Sequence, residues 1–269
     1  MKTIYLLITC LLIQWGVFAQ EGVNFRDLTF NEALAQAKAE KKMVFMDCYT
    51  SWCGPCKNMT NNVFPQKAAG DYFNPRFVCV KYDMEKGEGP ELAKRFGVRA
   101  YPTFLILRPD GTVQHKIVGG GDLDKFIAKV EKGLNKKTSL DYLNKIYEKG
   151  KMNQKQLMTY SVVLNEAYEK DKSEKVGKEL DAVLKEKDKM KKEYWPILER
   201  SPYGSDNFKL VLNNIGTFNK NIGKEKVDKY LTSCYTNAIN NTMRPNTKEP
   251  LKVLQQIQEE LTKLDLADQ

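Results

Sequence analysis

Histidine is almost missing from this 269-residue chain, where His115 stands alone. Cysteine is sparse, with six residues, and beyond Phe18 no apolar run approaches the roughly 20 residues that a membrane-spanning helix needs. Zinc requires about four nitrogen or sulfur ligands, and one close cysteine pair, Cys53 and Cys56, with a lone histidine does not supply them. No block of one charge stands out either. Residues 21–135 hold 17 basic and 14 acidic side chains, and residues 136–269 hold 25 and 20, within a net charge of +9. In the densest run, Lys185 to Glu193, acids and bases interleave, which describes a solvated helix face rather than a nucleic-acid patch.

The one long apolar stretch is at the start. Lys2, the apolar segment Ile4 to Phe18 and the small residues Val17 and Ala19 read as a secretory signal peptide over residues 1–19, cut near Ala19. Cys10 is a poor lipid acceptor, because Thr9 precedes it and the apolar core runs on beyond. The expectation is a secreted or periplasmic protein of a bacterial envelope, with no membrane span in the mature chain. Five cysteines then remain, an odd number that argues against a disulfide framework. Cys48, Cys79 and Cys234 fall in strand-like or apolar helical positions and read as small buried hydrophobes.

The chemistry concentrates in Asp47-Cys48-Tyr49-Thr50-Ser51-Trp52-Cys53-Gly54-Pro55-Cys56-Lys57. A Cys-x-x-Cys pair fits a zinc half-site, a structural bridge or a redox couple. A bridge closing so short a loop adds little stability. The pair follows an apolar strand pattern and precedes a helix, and a helix start offers unpaired N–H groups that stabilise a thiolate. Cys53 is therefore the expected nucleophile, and Cys56, one turn further in and less exposed, the resolving thiol. Gly54 permits close approach of another backbone, and Pro55 suits a first helical turn. Asp47 sits on the apolar strand Met43–Cys48. It is either a partly exposed strand-end carboxylate or a buried acid with a raised pKa that exchanges the Cys56 proton.

These residues resemble the thioredoxin superfamily. Trp52-Cys53-Gly54-Pro55-Cys56-Lys57 matches its active-site run, Asp47 stands where the family keeps a buried aspartate, and Gly97 to Phe104 resembles its segment with a cis-proline, here Pro102. Residues 59–83 are similar to secreted thioredoxin-like domains, among them the reductase module at the C-terminal end of a bacterial transmembrane electron carrier. The resemblance covers roughly residues 25 to 132. It implies a redox-active Cys53–Cys56 disulfide and a groove lined by Trp52, Gly54, Pro55, Tyr101 and Pro102. It also implies an acid–lysine pair beneath the site, Asp47 with Lys81, unless Lys81 is simply an exposed edge lysine. If strands Met43–Cys48 and Phe77–Tyr82 pair in parallel, alternation puts both side chains on one face.

The implied fold is an α/β thioredoxin fold, a central mixed sheet flanked by helices, followed by an all-α helical domain. Helices are expected at Asn31–Lys42, from Cys53 to about Asn61, at Pro90–Phe96 and from Leu123 to about Lys132. Strands are expected at Met43–Cys48, Phe77–Tyr82, Thr103–Leu107 and Val113–Val118. Gly119-Gly120-Gly121 reads as a turn near the active-site surface. Residues 133–139 read as a linker, with Thr138 capping the next helix. The domains are thus expected at 20–135 and 136–269, the second being about six amphipathic helices without a catalytic constellation. Function is expected to be thiol–disulfide exchange of the reductase type, with Gly-Pro between the cysteines similar to the reducing members. It needs no cofactor or metal, but disulfide-bonded client proteins and a membrane or periplasmic electron donor. The alternative is a redox-regulated binding module in which the helices dock a client and the cysteine pair acts as a switch.

Overall fold

The computed structural model describes residues 22–244 and 250–264; the expected signal peptide lies outside them. Four strands, β1 (Met43–Tyr49), β2 (Phe77–Asp83), β3 (Thr103–Leu107) and β4 (Val113–Val118), form one mixed sheet in the order β2-β1-β3-β4. β1 runs parallel to β2 and antiparallel to β3. Around them lie α1 (Phe30–Glu40), α2 (Gly54–Asn58), α3 (Lys67–Phe73), α4 (Gly89–Phe96) and α5 (Leu123–Leu134). The helical part follows as α6 (Leu140–Glu148), α7 (Gln154–Glu166), α8 (Lys170–Val183), α9 (Glu186–Lys189), α10 (Trp195–Leu198), α11 (Asp206–Asn213), α12 (Ile215–Ile222), α13 (Lys224–Thr242) and α14 (Pro250–Lys263). Among the described residues no helix is long and apolar enough to cross a membrane.

β1 is central because its sequence is apolar on both faces. Val44, Met46 and Cys48 pack with Ala33 and Ala37 of α1, with Val78 and Val80 of β2, and with Leu105 and Leu107 of β3. On the other face Phe45 meets Phe73, Phe77, Phe104 and Phe126 at ring distances of 4.7 to 6.2 Å. Aromatic pairs at such separations add to the area they bury. α1 starts in a capping box, with Thr29 and Glu32 each satisfying the other's backbone N–H.

The helical part holds nine helices among the described residues, α6 to α14, where about six are expected, and two stretches of the first part also differ from the sequence pattern. α3 was not expected at all; it is seven residues long and has no side-chain cap. The active-site helix is α-helical only to Asn58, after which Met59–Val63 forms a π turn. The Phe64 N–H reaches back five residues to the Met59 carbonyl, at 2.9 Å.

By contact the chain divides into two compact units. Among the described residues, one takes 22–113 together with Val118–Glu131, and the other takes Gln114–Ile117 with those from Lys132 onward. The second unit has its own core, built from Leu143, Tyr160, Leu164, Val176, Leu198, Phe208, Val211, Phe218, Val227 and Leu231. Inside it Ser139, not Thr138, caps α6: the Ser139 hydroxyl accepts the Tyr142 N–H, whereas Thr138 donates to the Lys132 carbonyl. The Cys48, Cys79 and Cys234 thiols are free and buried.

Candidate active site

β1 delivers its C-terminal end to the start of α2. The Cys53 N–H donates to the Thr50 carbonyl at 3.2 Å, which closes the turn between them. Cys53 then occupies the N-cap position in extended conformation, with Pro55 in the first turn, where its missing N–H costs nothing. Cys53 Sγ accepts the Cys56 N–H at 3.1 Å, so one orphan donor of the helix start points at this sulfur. Cys53 and Cys56 are joined by a disulfide, Cα to Cα 5.3 Å.

Sequence reasoning expected Cys56 to be the less exposed of the two. Instead both are buried, 3% and 4% exposed. Cys53 Sγ is turned back towards the helix, and the neighbouring Trp52, 64% exposed, carries the accessible surface. A Cβ on Gly54 would meet nothing within 4 Å, so the space beside this residue, between the two cysteines in sequence, is open.

Three further elements frame the pair. The Tyr101–Pro102 bond is cis, and the Pro102 carbonyl accepts the Gly119 N–H at 2.9 Å. Gly120 is pressed against the active-site helix, where a Cβ would fall 2.7 Å from Met59 Sδ. The Trp52 indole N–H donates to Glu85 Oε1 at 3.0 Å, and its ring meets Tyr101 edge to face at 5.9 Å. Glu85 and Gly120 were not singled out from the sequence. Nothing in one chain marks a surface glutamate as an indole partner, and the triple glycine read only as a turn.

On β1, the strand that leads to the cysteine pair, Asp47 is 2% exposed and its Oδ1 has no hydrogen-bond partner. Burial pushes its pKa up to about 7, and the Lys81 ammonium opposes part of that rise. Asp47 and Lys81 stand opposite one another in the parallel register. Lys81 is otherwise exposed, its Nζ 5.8 Å from the Phe25 ring. A pocket of about 200 Å³ opens beside Cys56, lined among others by Tyr49, Lys57, Thr60, Asn61 and Lys81. Among the described residues no group of three or more His, Cys, Asp or Glu side chains is placed to hold a metal.

Residues 22–132 match the family profile described as Thioredoxin. Thioredoxin-1 of Drosophila melanogaster is 36% identical over 86 residues, which cover 29% of this chain and 76% of that protein. The chain belongs to the thioredoxin family. Thioredoxin H-type of Oryza sativa subsp. indica is 36% identical over 117 residues, covering 41% of this chain and 89% of that protein. Among solved structures, a putative disulphide-isomerase from Bacteroides thetaiotaomicron is 48% identical, with a TM-score of 0.41, over 43% of this chain and 95% of that one. With its Cys53–Cys56 couple at a helix start, this thioredoxin-family chain is a thiol–disulfide oxidoreductase.

Proposed function

We propose that the chain is an exported reductase of protein disulfides. Cys53 attacks one sulfur of a client disulfide as the thiolate, giving a mixed disulfide and releasing the first client thiol. Cys56 gives up its proton to Asp47 and attacks Cys53 Sγ, which releases the second client thiol and leaves the Cys53–Cys56 disulfide. Two electrons pass to the client, and a dithiol donor must return them. Lys81 limits how far burial raises the Asp47 pKa, which keeps that carboxyl titrating near neutrality. Trp52, Gly54, Pro55, Tyr101 and Pro102 line the groove that receives the client backbone.

The observation that carries this reading is Cys53 at the helix start, its sulfur accepting the Cys56 N–H, with a buried carboxyl, Asp47, on the strand that leads to it. Export rests on the leader-like pattern of residues 1–19. The helical region from residue 136 has its own apolar core, which supports a separate, client-docking role for it.

A redox titration of Cys53–Cys56 against glutathione or dithiothreitol buffers tests the direction of transfer. A reductase is expected near about −270 mV, the value typical of thioredoxin itself. A potential above about −180 mV, in the isomerase range, overturns the reductase assignment.

A further inference from the structure

The wall of the pocket beside Cys56 is mostly carbon surface, but two lysines line it, Lys57 of α2 and Lys81 of β2, and no Asp or Glu does. Neither lysine is in a salt bridge among the described residues. Asp47, opposite Lys81 in the strand register, is not part of the lining. Thr50, in the turn between β1 and α2, is. It is 1% exposed, its carbonyl is taken by the Cys53 N–H, and its Oγ1 has no hydrogen-bond partner. A buried hydroxyl without a partner is uncommon and costs free energy until something supplies one. The volume is about 200 Å³, and an apolar cavity of about 150 Å³ is enough to take up benzene. Small-molecule sites have this make-up: a largely apolar wall with a few polar groups that fix orientation.

We propose that this pocket is a binding site for a small organic carboxylate with an apolar body about the size of one ring. The carboxylate accepts a hydrogen bond from the Thr50 hydroxyl and pairs with the Lys57 and Lys81 ammonium groups, while the body lies on the carbon wall. Both halves are needed. A bare anion leaves the wall wet, and a neutral ring leaves two cations without a counter-charge. Trp52, Gly54, Pro55, Tyr101 and Pro102 do not line the pocket, so the site is separate from the groove assigned to the client. Binding makes and breaks no covalent bond, and it does not depend on the direction in which the cysteine pair passes electrons.

Calorimetric titration of benzoate into the disulfide form of the full-length protein tests this. Saturable binding is expected, with a dissociation constant at or below about 1 mM. Benzamide has the same shape without the charge and should bind about tenfold more weakly. Acetate keeps the charge without the ring and should also lose about tenfold or more. Thr50→Val keeps the shape of the side chain, removes the hydroxyl and should weaken benzoate binding about fivefold, the worth of one hydrogen bond. Lys57→Met and Lys81→Met should each weaken it about threefold and reduce its sensitivity to salt. Both lysines are exposed, so these two variants carry the test if Thr50→Val does not fold. Benzoate binding no tighter than that of benzamide, or no tighter than that of acetate, overturns the proposal. An affinity unchanged in every folded variant places the ligand elsewhere and overturns it too, as does the absence of saturation below about 10 mM.

Discussion

Asp47 and Lys81 face one another across the parallel β1–β2 pair, one enclosed and the other at the exposed rim of a pocket. The arrangement sets a carboxyl that titrates at about 7 rather than near 4. A raised folded-state pKa favours the folded protein when the group is protonated. That advantage is fully present below the unfolded pKa and is lost as the pH rises towards 7. Asp47→Asn removes the penalty, so the variant should be more stable than the unaltered protein at pH 8 by up to about 4 kcal/mol, and nearly equal to it at pH 4. Urea unfolding at the two pH values checks this. A gain of equal size at both would show that the charge of Asp47 is not its cause.

The two cysteines should separate cleanly by role. In Cys56→Ser the first attack proceeds and resolution cannot, so covalent adducts with client proteins should accumulate on non-reducing gels. Cys53→Ser should trap none, because Cys56 begins no exchange. In the reduced protein Cys53 should react with iodoacetamide at mildly acidic pH, at which a thiol of ordinary pKa is inert, since only the thiolate is the nucleophile. Equal labelling of the two would contradict the helix-start argument.

The parts of the site that sequence made legible are those in which one residue type has few reasons to be present. Cys53, Pro55 and Cys56 at a strand-to-helix junction have a short list of uses, and a carboxylate at Asp47 inside an apolar strand is conspicuous. The strands Thr103–Leu107 and Val113–Val118 were bounded as expected, since turn residues delimit both. What escaped was three-dimensional. α3 is short and uncapped, and the π turn at Met59–Val63 depends on how the helix meets its neighbours. The Trp52–Glu85 bond joins residues 33 apart. The matching burial of Cys53 and Cys56 also follows from packing, not from helical position.

Trp52 offers the largest exposed apolar surface beside the disulfide, and Tyr101 and Glu85 hold its ring from two sides. A rigid exposed indole of this kind is what a protein client buries. Trp52→Ala should raise KM for a protein disulfide about tenfold with kcat little changed, and leave a small aromatic disulfide almost unaffected. Glu85→Ala releases the indole without deleting it and should give a smaller effect in the same direction. Equal losses on both substrates from Trp52→Ala would move Trp52 from client binding into the chemistry.

His115 makes the second unit acid-sensitive. Its Nδ1 accepts the Leu140 N–H at 3.1 Å, at the first turn of α6, so the neutral ring carries its proton on Nε2, which is buried and unpartnered. Gly133 is packed on the ring so closely that a Cβ there would fall 2.6 Å from it. Glu166, buried and paired with Lys132 at 2.8 Å and Arg200 at 3.4 Å, lies close enough to act on it. Burial lowers the His115 pKa to about 4, with Glu166 opposing that shift and Lys132 adding to it. A depressed histidine contributes stability that is complete above its unfolded pKa and is lost as the pH falls towards 4, because the unfolded chain takes up the proton first. The loss is worth about 3 kcal/mol. In protein lacking residues 1–19 and carrying Trp52→Phe, Trp195 is the remaining indole and reports on the second unit. Its urea unfolding should weaken by about that amount between pH 7 and 4. His115→Asn keeps an acceptor for the Leu140 N–H but cannot titrate. It should be less stable at pH 7, through lost packing, and distinctly flatter with pH. Parallel pH dependences in the two proteins would assign the acid sensitivity to groups other than His115.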